Sequence, residues 1–202
     1  MEITKKMVYN RLWGHIVYEC GPMDRAPDGG IGWRADITPF LESRGMIVLD
    51  PCNKPIDIGC EDVESRQYRE QLKQDNKYDE LANSIRIIRS VDLRCVDFCD
   101  FIIVHLDNEI VPCGTLEELF WANRLKRPIL IHIQQGKQNV SDWLLGVTNH
   151  QLIFDTWQEL KDYIVHVDED EDVETYKRWY FFNKQKMMPK VPPKFDTDWR
   201  PW

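Results

Sequence analysis

Three observations predict a doubly wound α/β fold, flavodoxin-like or Rossmann-like, with a mostly parallel five-stranded sheet. Short apolar runs recur along the chain, and stretches of helical periodicity separate them. Between the third and fourth runs, a loop leaves the end of a strand and turns straight into a helix. Open parallel sheets place their ligands at such loops, outside the carboxyl ends of the strands.

Residues 15–20, His-Ile-Val-Tyr-Glu-Cys, form the first predicted strand. The loop at 21–34 follows, with four glycines, Arg25 and Arg34. A helix over 35–43 ends at Arg44-Gly45, and 46–50 make a second short strand before Pro51. Residues 52–76 are irregular and then strongly charged, with 61–73 helical in pattern, and read as an excursion or lid. From 78 to 98 the apolar positions Leu81, Ile85, Ile88, Leu93 and Val96 recur at a helical period and lead into a third strand at 101–106. The fourth strand is 128–133, a short helix covers 140–145, and the fifth strand is 151–155. The last helix, 156–164, carries a capping box of Thr156 and Glu159. Residues 1–167 therefore read as the α/β domain. Residues 168–202 form an extension, first acidic, then aromatic and proline-bearing. Its Tyr176-Lys-Arg-Trp-Tyr-Phe-Phe182 stretch is expected to pack on the domain or on a partner subunit.

The composition of 43% hydrophobic and 30% charged residues is that of a globular protein. No run approaches the roughly 18 apolar residues of a membrane span, and the polar start lacks a signal peptide's apolar core. A cytoplasmic protein with no membrane contact is expected. The net charge of −8 argues against a duplex nucleic-acid binder, which needs a basic face. The six cysteines make no Cys-x-x-Cys pair and read as reduced thiols, and no metal site is expected. His105 and His132 fall inside predicted strands and are expected to be hydrogen-bonded core or sheet-end side chains.

Three stretches converge at the ligand edge of such a sheet. The glycine loop offers backbone N–H groups near a helix start, with Arg25 and Arg34 to add charge against a phosphate or a sugar hydroxyl. Asp92 lies in an otherwise apolar helix, where it can orient a nucleophile, bind a sugar hydroxyl or pass a proton to a leaving base; an exposed acid paired with Arg89 is the plainer alternative. Glu118 follows Gly114 and Thr115. It reads either as the partner of Thr115 in a capping box or as a carboxylate nucleophile that attacks an anomeric carbon. Tyr18, near the end of the first strand, can hydrogen-bond it.

Val17-Tyr-Glu-Cys-Gly-Pro-Met23, the segment from Ile87 to Asp100 and Gly114-Thr-Leu-Glu-Glu-Leu119 together resemble the nucleoside 2-deoxyribosyltransferase superfamily, which includes nucleoside 5′-monophosphate N-glycosidases. The resemblance spans residues 14–165 in order and spacing. It implies cleavage of the N-glycosidic bond of a nucleoside or nucleoside 5′-monophosphate through a covalent glycosyl-enzyme on Glu118, with transfer to another base or to water. Tyr18 would orient Glu118, and Asp92 would be the aspartate ahead of the central strand. Substrate contacts would come from Gly21, Met23, Asp24, Arg25, Gly30 and Arg34 of the loop, from Asp107, and from Gly114 and Thr115. No cofactor is implied, and a homo-oligomer is. Two departures stand out. Phe120-Trp121 replace a small residue, predicting a narrowed or rebuilt pocket wall, and Pro112 stands where transferases often place a sugar-binding aspartate, leaving Asp107 as the nearest substitute. Pro112-Cys-Gly-Thr-Leu-Glu-Glu118 is also similar to the motif of cytokinin-activating-type nucleotide phosphoribohydrolases. A non-catalytic sensor of a nucleotide-derived ligand is the third alternative.

Overall fold

The computed structural model describes residues 10–54, 58–59, 61–169 and 179. Its five strands are β1 (Ile16–Cys20), β2 (Ile47–Leu49), β3 (Phe101–Leu106), β4 (Ile129–Ile133) and β5 (Ile153–Phe154). All pair in parallel, in the order β2-β1-β3-β4-β5. This is the flavodoxin-like arrangement, in which the chain reverses its direction of winding between β1 and β3. Between the strands run α1 (Ile31–Ser43), α2 (Val63–Gln74), α3 (Tyr78–Phe98), α4 (Cys113–Arg124), α5 (Asp142–Val147) and α6 (Trp157–Glu169).

Both faces of the sheet are covered, which is why β3 and β4 read as unbroken apolar runs rather than alternating ones. Strand alternation sends Val17, Phe101, Ile103 and Leu130 to one face, where Ile37 and Leu41 of α1 and Leu160, Ile164 and Val167 of α6 pack. On the other face, Tyr18, Cys20, Ile102, Val104, Ile129 and Ile131 meet Val96 of α3, Leu119 and Ala122 of α4 and Leu144 of α5. The α2 segment, read as an excursion, packs against α3 through buried Leu72.

Several boundaries differ from the sequence expectation for physical reasons. Helix α1 begins at Ile31, four residues early, because Gly30 takes a left-handed φ of 78° and the Asp28 carboxylate accepts from the amides of Gly30 and Gly32, both at 2.8 Å. The Thr156–Glu159 capping box forms as read, with Glu159 N–H donating to Thr156 Oγ1 and Thr156 N–H to Glu159 Oε2, both at 3.2 Å. Helix α6 then continues to Glu169. Its penultimate residue, Asp168, which opens the acidic run, is buried and accepts from Leu12 N–H at 2.7 Å and Arg44 Nε at 2.8 Å. Of the extension, Trp179 is buried against Phe101 and donates from Nε1 to the Tyr163 hydroxyl at 3.0 Å. The rest of the aromatic stretch at 176–182 lies outside the described residues.

His105 and His132 are partners in the β3–β4 register, with Nδ1 atoms 2.9 Å apart and Trp157 against both rings. One Nδ1 must therefore carry a proton and the other must not. Burial pushes both down to about 4, and for His105 the neighbouring His132 adds to the shift. A folded value below the unfolded one means the neutral rings contribute stability above about pH 6.5 that is lost as pH falls toward 4. We expect NMR titration of the ring protons to find both imidazoles neutral at about pH 5, with thermal stability falling below about pH 6.5. Ring shifts typical of imidazolium at that pH would contradict the assignment.

Candidate active site

Residues Tyr18 and Cys20 sit two apart on β1, so both side chains leave the same face of the strand. Opposite them, α4 starts at Cys113, which places Thr115 inside the first turn rather than at its cap. No side chain caps this helix, and Glu118 does not fold back to make a capping box. Its carboxylate points instead at β1: Tyr18 OH donates to Oε1 at 3.0 Å and Cys20 Sγ–H to Oε2 at 2.9 Å. Each carboxylate oxygen thus has one neutral donor. Burial raises the phenol and the thiol well above their ordinary values, so both keep their protons. Glu118 is pushed up to about 7 by desolvation, while the thiol and phenol hydrogen bonds pull the other way. The role of Cys20 escaped the sequence reading, although its i+2 spacing from Tyr18 on a predicted strand carried the signal.

Asp92 lies in the buried stripe Ile88, Asp92, Val96 of α3. Arg89 is not its partner, since Arg89 Nε hydrogen-bonds Glu117 at 2.7 Å on the outside. The partner is Lys54, from the segment after β2. Its Nζ lies 2.8 Å from Asp92 Oδ1, 2.9 Å from Glu61 Oε2 and 2.7 Å from Gly59 O, with the side chain 2% exposed. Burial and the neighbouring Glu61 raise the Asp92 carboxyl, Lys54 lowers it, and Glu118 adds a smaller upward push. Lys54 and Glu61 are functional-site residues with no motif around them; only the fold of the charged excursion brings them to Asp92.

Of these groups, Tyr18, Glu61, Asp92 and Glu118 line a half-open cavity of about 410 Å³. Its wall includes Tyr18, Asp92 and Glu118, the loop residues Gly21, Met23, Asp24 and Arg25, the α4 residues Gly114 and Thr115, and Ile85 and Ile88 of α3. It lies at the β1/β3 reversal, where this topology places ligands.

Three expected contacts are elsewhere. Arg34 is 1% exposed, with Nη1 on Gly30 O at 2.7 Å and Nη2 on Glu19 O and Gly21 O at 3.1 and 3.3 Å, so it braces the loop from beneath. Gly30 shapes the backbone: a Cβ there would meet Pro22 O at 2.5 Å. Asp107 turns to Gln135 Nε2 at 2.6 Å and the Glu109 amide at 2.9 Å. The amides of Gly30 and Gly32 at the start of α1, read as available to an anion, are already held by Asp28. Phe120 and Trp121 do not narrow the cavity. Phe120 faces away from it, and Trp121, almost a turn beyond Glu118, donates from Nε1 to Asp97 at 2.8 Å. Among the described residues, no cluster of His, Cys, Asp or Glu has the arrangement to hold a metal ion, and no helix is long and apolar enough to cross a membrane.

No family's sequence profile matches the chain, and no curated protein matches it. Solved structures do. A 2-deoxyribosyltransferase from Bacillus psychrosaccharolyticus aligns with 73% of this chain and 91% of its own, at 15% identity and a TM-score of 0.50. A CMP N-glycosidase from Clostridium botulinum aligns with 74% of this chain and 97% of its own, at 17% identity and a TM-score of 0.41. The first likeness shows a shared fold.

Removing the Lys54 ammonium leaves two carboxylates facing one another in a desolvated wall. We expect Lys54→Met to cost about 3–5 kcal/mol in urea unfolding at pH 7, as loss of one partner from a buried ion pair does. Asp92 already sits above its ordinary value, so without Lys54 it takes up a proton more readily and the deficit should shrink as the pH falls. A deficit below about 1 kcal/mol, in the range of an exposed pair, would show that Lys54 is not holding this wall.

Proposed function

We propose that the protein is an enzyme of the nucleoside 2-deoxyribosyltransferase kind, a transferase or hydrolase that cleaves the N-glycosidic bond of a nucleoside or nucleoside 5′-monophosphate. The observation that carries the reading is the Glu118 carboxylate, held between Tyr18 and Cys20 in the wall of a cavity at the sheet's ligand edge. Any buried carboxylate needs donors, but these two both come from one strand and hold the carboxylate at the wall of the cavity, the fixed orientation a nucleophile requires. The names of the two solved neighbours agree with this chemistry.

In the proposed reaction, an oxygen of ionised Glu118 attacks C1′ of the sugar as the C1′–N bond breaks. The bonding pair leaves with the base, which takes a proton from Asp92, and positive charge develops on the sugar ring through an oxocarbenium-like transition state. A glycosyl ester on Glu118 results. A second base or a water molecule then attacks C1′, giving up its proton to the Asp92 carboxylate, and the ester bond to Glu118 breaks to free its carboxylate. Asp92 suits the proton-donor role because its raised value keeps a proton within reach near neutral pH. Tyr18 and Cys20 keep their protons throughout and steady the nucleophile. The reaction needs only side chains. The resemblance further supports a homo-oligomer.

The decisive test is mass spectrometry of the protein incubated with deoxynucleosides and their 5′-monophosphates, with and without a free acceptor base. Release of base is expected, and a new nucleoside only in the presence of acceptor would identify transfer. Glu118→Ala should lower turnover by about 10³-fold or more while substrate still binds. Unchanged turnover would remove Glu118 from the chemistry, and binding without turnover in the unsubstituted protein would favour a sensor. Because Glu118 must be ionised and Asp92 protonated, kcat/KM should follow a bell centred near pH 7, rising as Glu118 ionises and falling as Asp92 loses its proton. Tyr18→Phe removes a donor that lowers the Glu118 value, so the rise should move to higher pH with about a tenfold loss of rate.

A further inference from the structure

Pairing the charges around the cavity leaves one buried cation over. Glu61 and Asp92 share Lys54, Glu117 has Arg89, and Lys73 on α2 lies 3.6 Å from Asp24 and 3.7 Å from Glu70. Glu118 has its two neutral donors. Arg69, on the same helix as Lys73, has no carboxylate within ion-pair distance among the described residues. It is 6% exposed and lines the cavity, and its guanidinium makes one hydrogen bond, from Nη1 to Ser65 Oγ one turn back at 3.3 Å. Its remaining N–H donors are not among the fully desolvated, unpartnered polar atoms, so they keep contact with solvent and a ligand in the cavity can meet them.

We propose that Arg69 binds the phosphate of a nucleoside 5′-monophosphate, with Arg25 at the rim of the cavity, making a phosphorylated nucleotide rather than a free nucleoside the preferred substrate. This rests on the N-glycosidic reading of Glu118 and names the substrate class for it. The other candidate anion site, the start of α1, is closed by the protein's own Asp28, and Arg34 is spent on backbone carbonyls. Arg69 is the buried fork of donors left in the cavity wall, with the exposed Arg25 beside it, and a planar fork matches two phosphate oxygens at once. In a nucleotide the 5′-phosphate lies across the sugar from the scissile bond, so one group can be held at α2 while C1′ meets Glu118. The charged excursion between β2 and α3 thereby acquires a task, since it delivers Arg69 to the cavity and Lys54 to the Glu61 and Asp92 carboxylates in its wall.

The test compares each 5′-monophosphate with its own nucleoside, which shares base and sugar and lacks only the phosphate. Calorimetric binding to Glu118→Gln protein, with Arg69 intact, Arg69→Gln or Arg69→Lys, reads the subsite without requiring turnover. Inorganic phosphate serves as competitor. Circular dichroism and thermal melting identify any variant that fails to fold, and Arg69→Lys keeps the charge while losing the fork. We expect Arg69→Gln to weaken the 5′-monophosphate about 10- to 100-fold more than the matched nucleoside, the worth of charge-assisted hydrogen bonds. Arg69→Lys should fall between, and phosphate should compete only while Arg69 is present. Equal weakening of nucleotide and nucleoside in folded variants would assign Arg69 to the base or to the wall, and no weakening would leave it structural. Either result overturns the subsite and leaves the Glu118 chemistry standing. Selective nucleotide binding without base release from the unsubstituted protein would do the reverse.

Discussion

Everything at the candidate site depends on one approach, that of β1 to the first turns of α4. Tyr18 and Cys20 reach Glu118 across roughly one hundred positions of sequence, at 3.0 and 2.9 Å. The contact exists because β1 pairs directly with β3, Tyr18 opposite Ile102 and Cys20 opposite Val104, and the chain leaving β3 turns at once into α4. Leu119 and Ala122 then anchor α4 against the sheet. A carboxylate buried this way would ordinarily be protonated, and the two donors resist that outcome without bringing in a charge that would neutralise it. Burial lifts Glu118 to about 7 while hydrogen bonding draws it down, a balance suited to a group that must ionise near neutral pH.

The opposite wall works by a different rule. Glu61 and Asp92 are held by a true counter-ion, Lys54, itself closed off by Gly59 O. Buried ion pairs seldom repay their desolvation in stability, so a pair retained at a cavity wall points to a need for charge in that place. Residues between β2 and α3 supply the lysine and one carboxylate, and α2 supplies Arg69. The segment that looks least like part of the sheet thus contributes Glu61, Arg69 and Lys73 to the cavity's charge, while the sheet supplies rigidity and the setting of Glu118.

How much of this was legible in the sequence follows from the range of each interaction. The strands at 101–106 and 128–133, the helix at 78–98 and the capping box at Thr156 rest on local periodicity and local hydrogen bonds, and they appear as read, the fourth strand one residue shorter. Asp92 stood out as an acid in an otherwise apolar helix, while Glu118 stood out by its place after the loop that leaves the third strand, and Tyr18 by its place near the end of the first, both with the help of the resemblance. Arg34 misled, since an arginine after glycines looks like an anion ligand until its guanidinium is seen braced against Gly30, Glu19 and Gly21. Phe120 and Trp121 misled in the same way, because proximity to Glu118 in sequence says nothing about which side of α4 meets the cavity.

The sequence by itself determined the order of strands and helices, and with it the parallel sheet whose carboxyl edge carries the site, because apolar periodicity acts over a few residues and burial on both faces leaves a continuous apolar run. Only the tertiary structure decided which donors hold Glu118, that Asp92 answers to Lys54 rather than Arg89, and that Arg69 rather than Arg34 opens on the cavity. These are pairings between side chains far apart in the chain, and their energies depend on distance and desolvation, which no spacing along the sequence encodes.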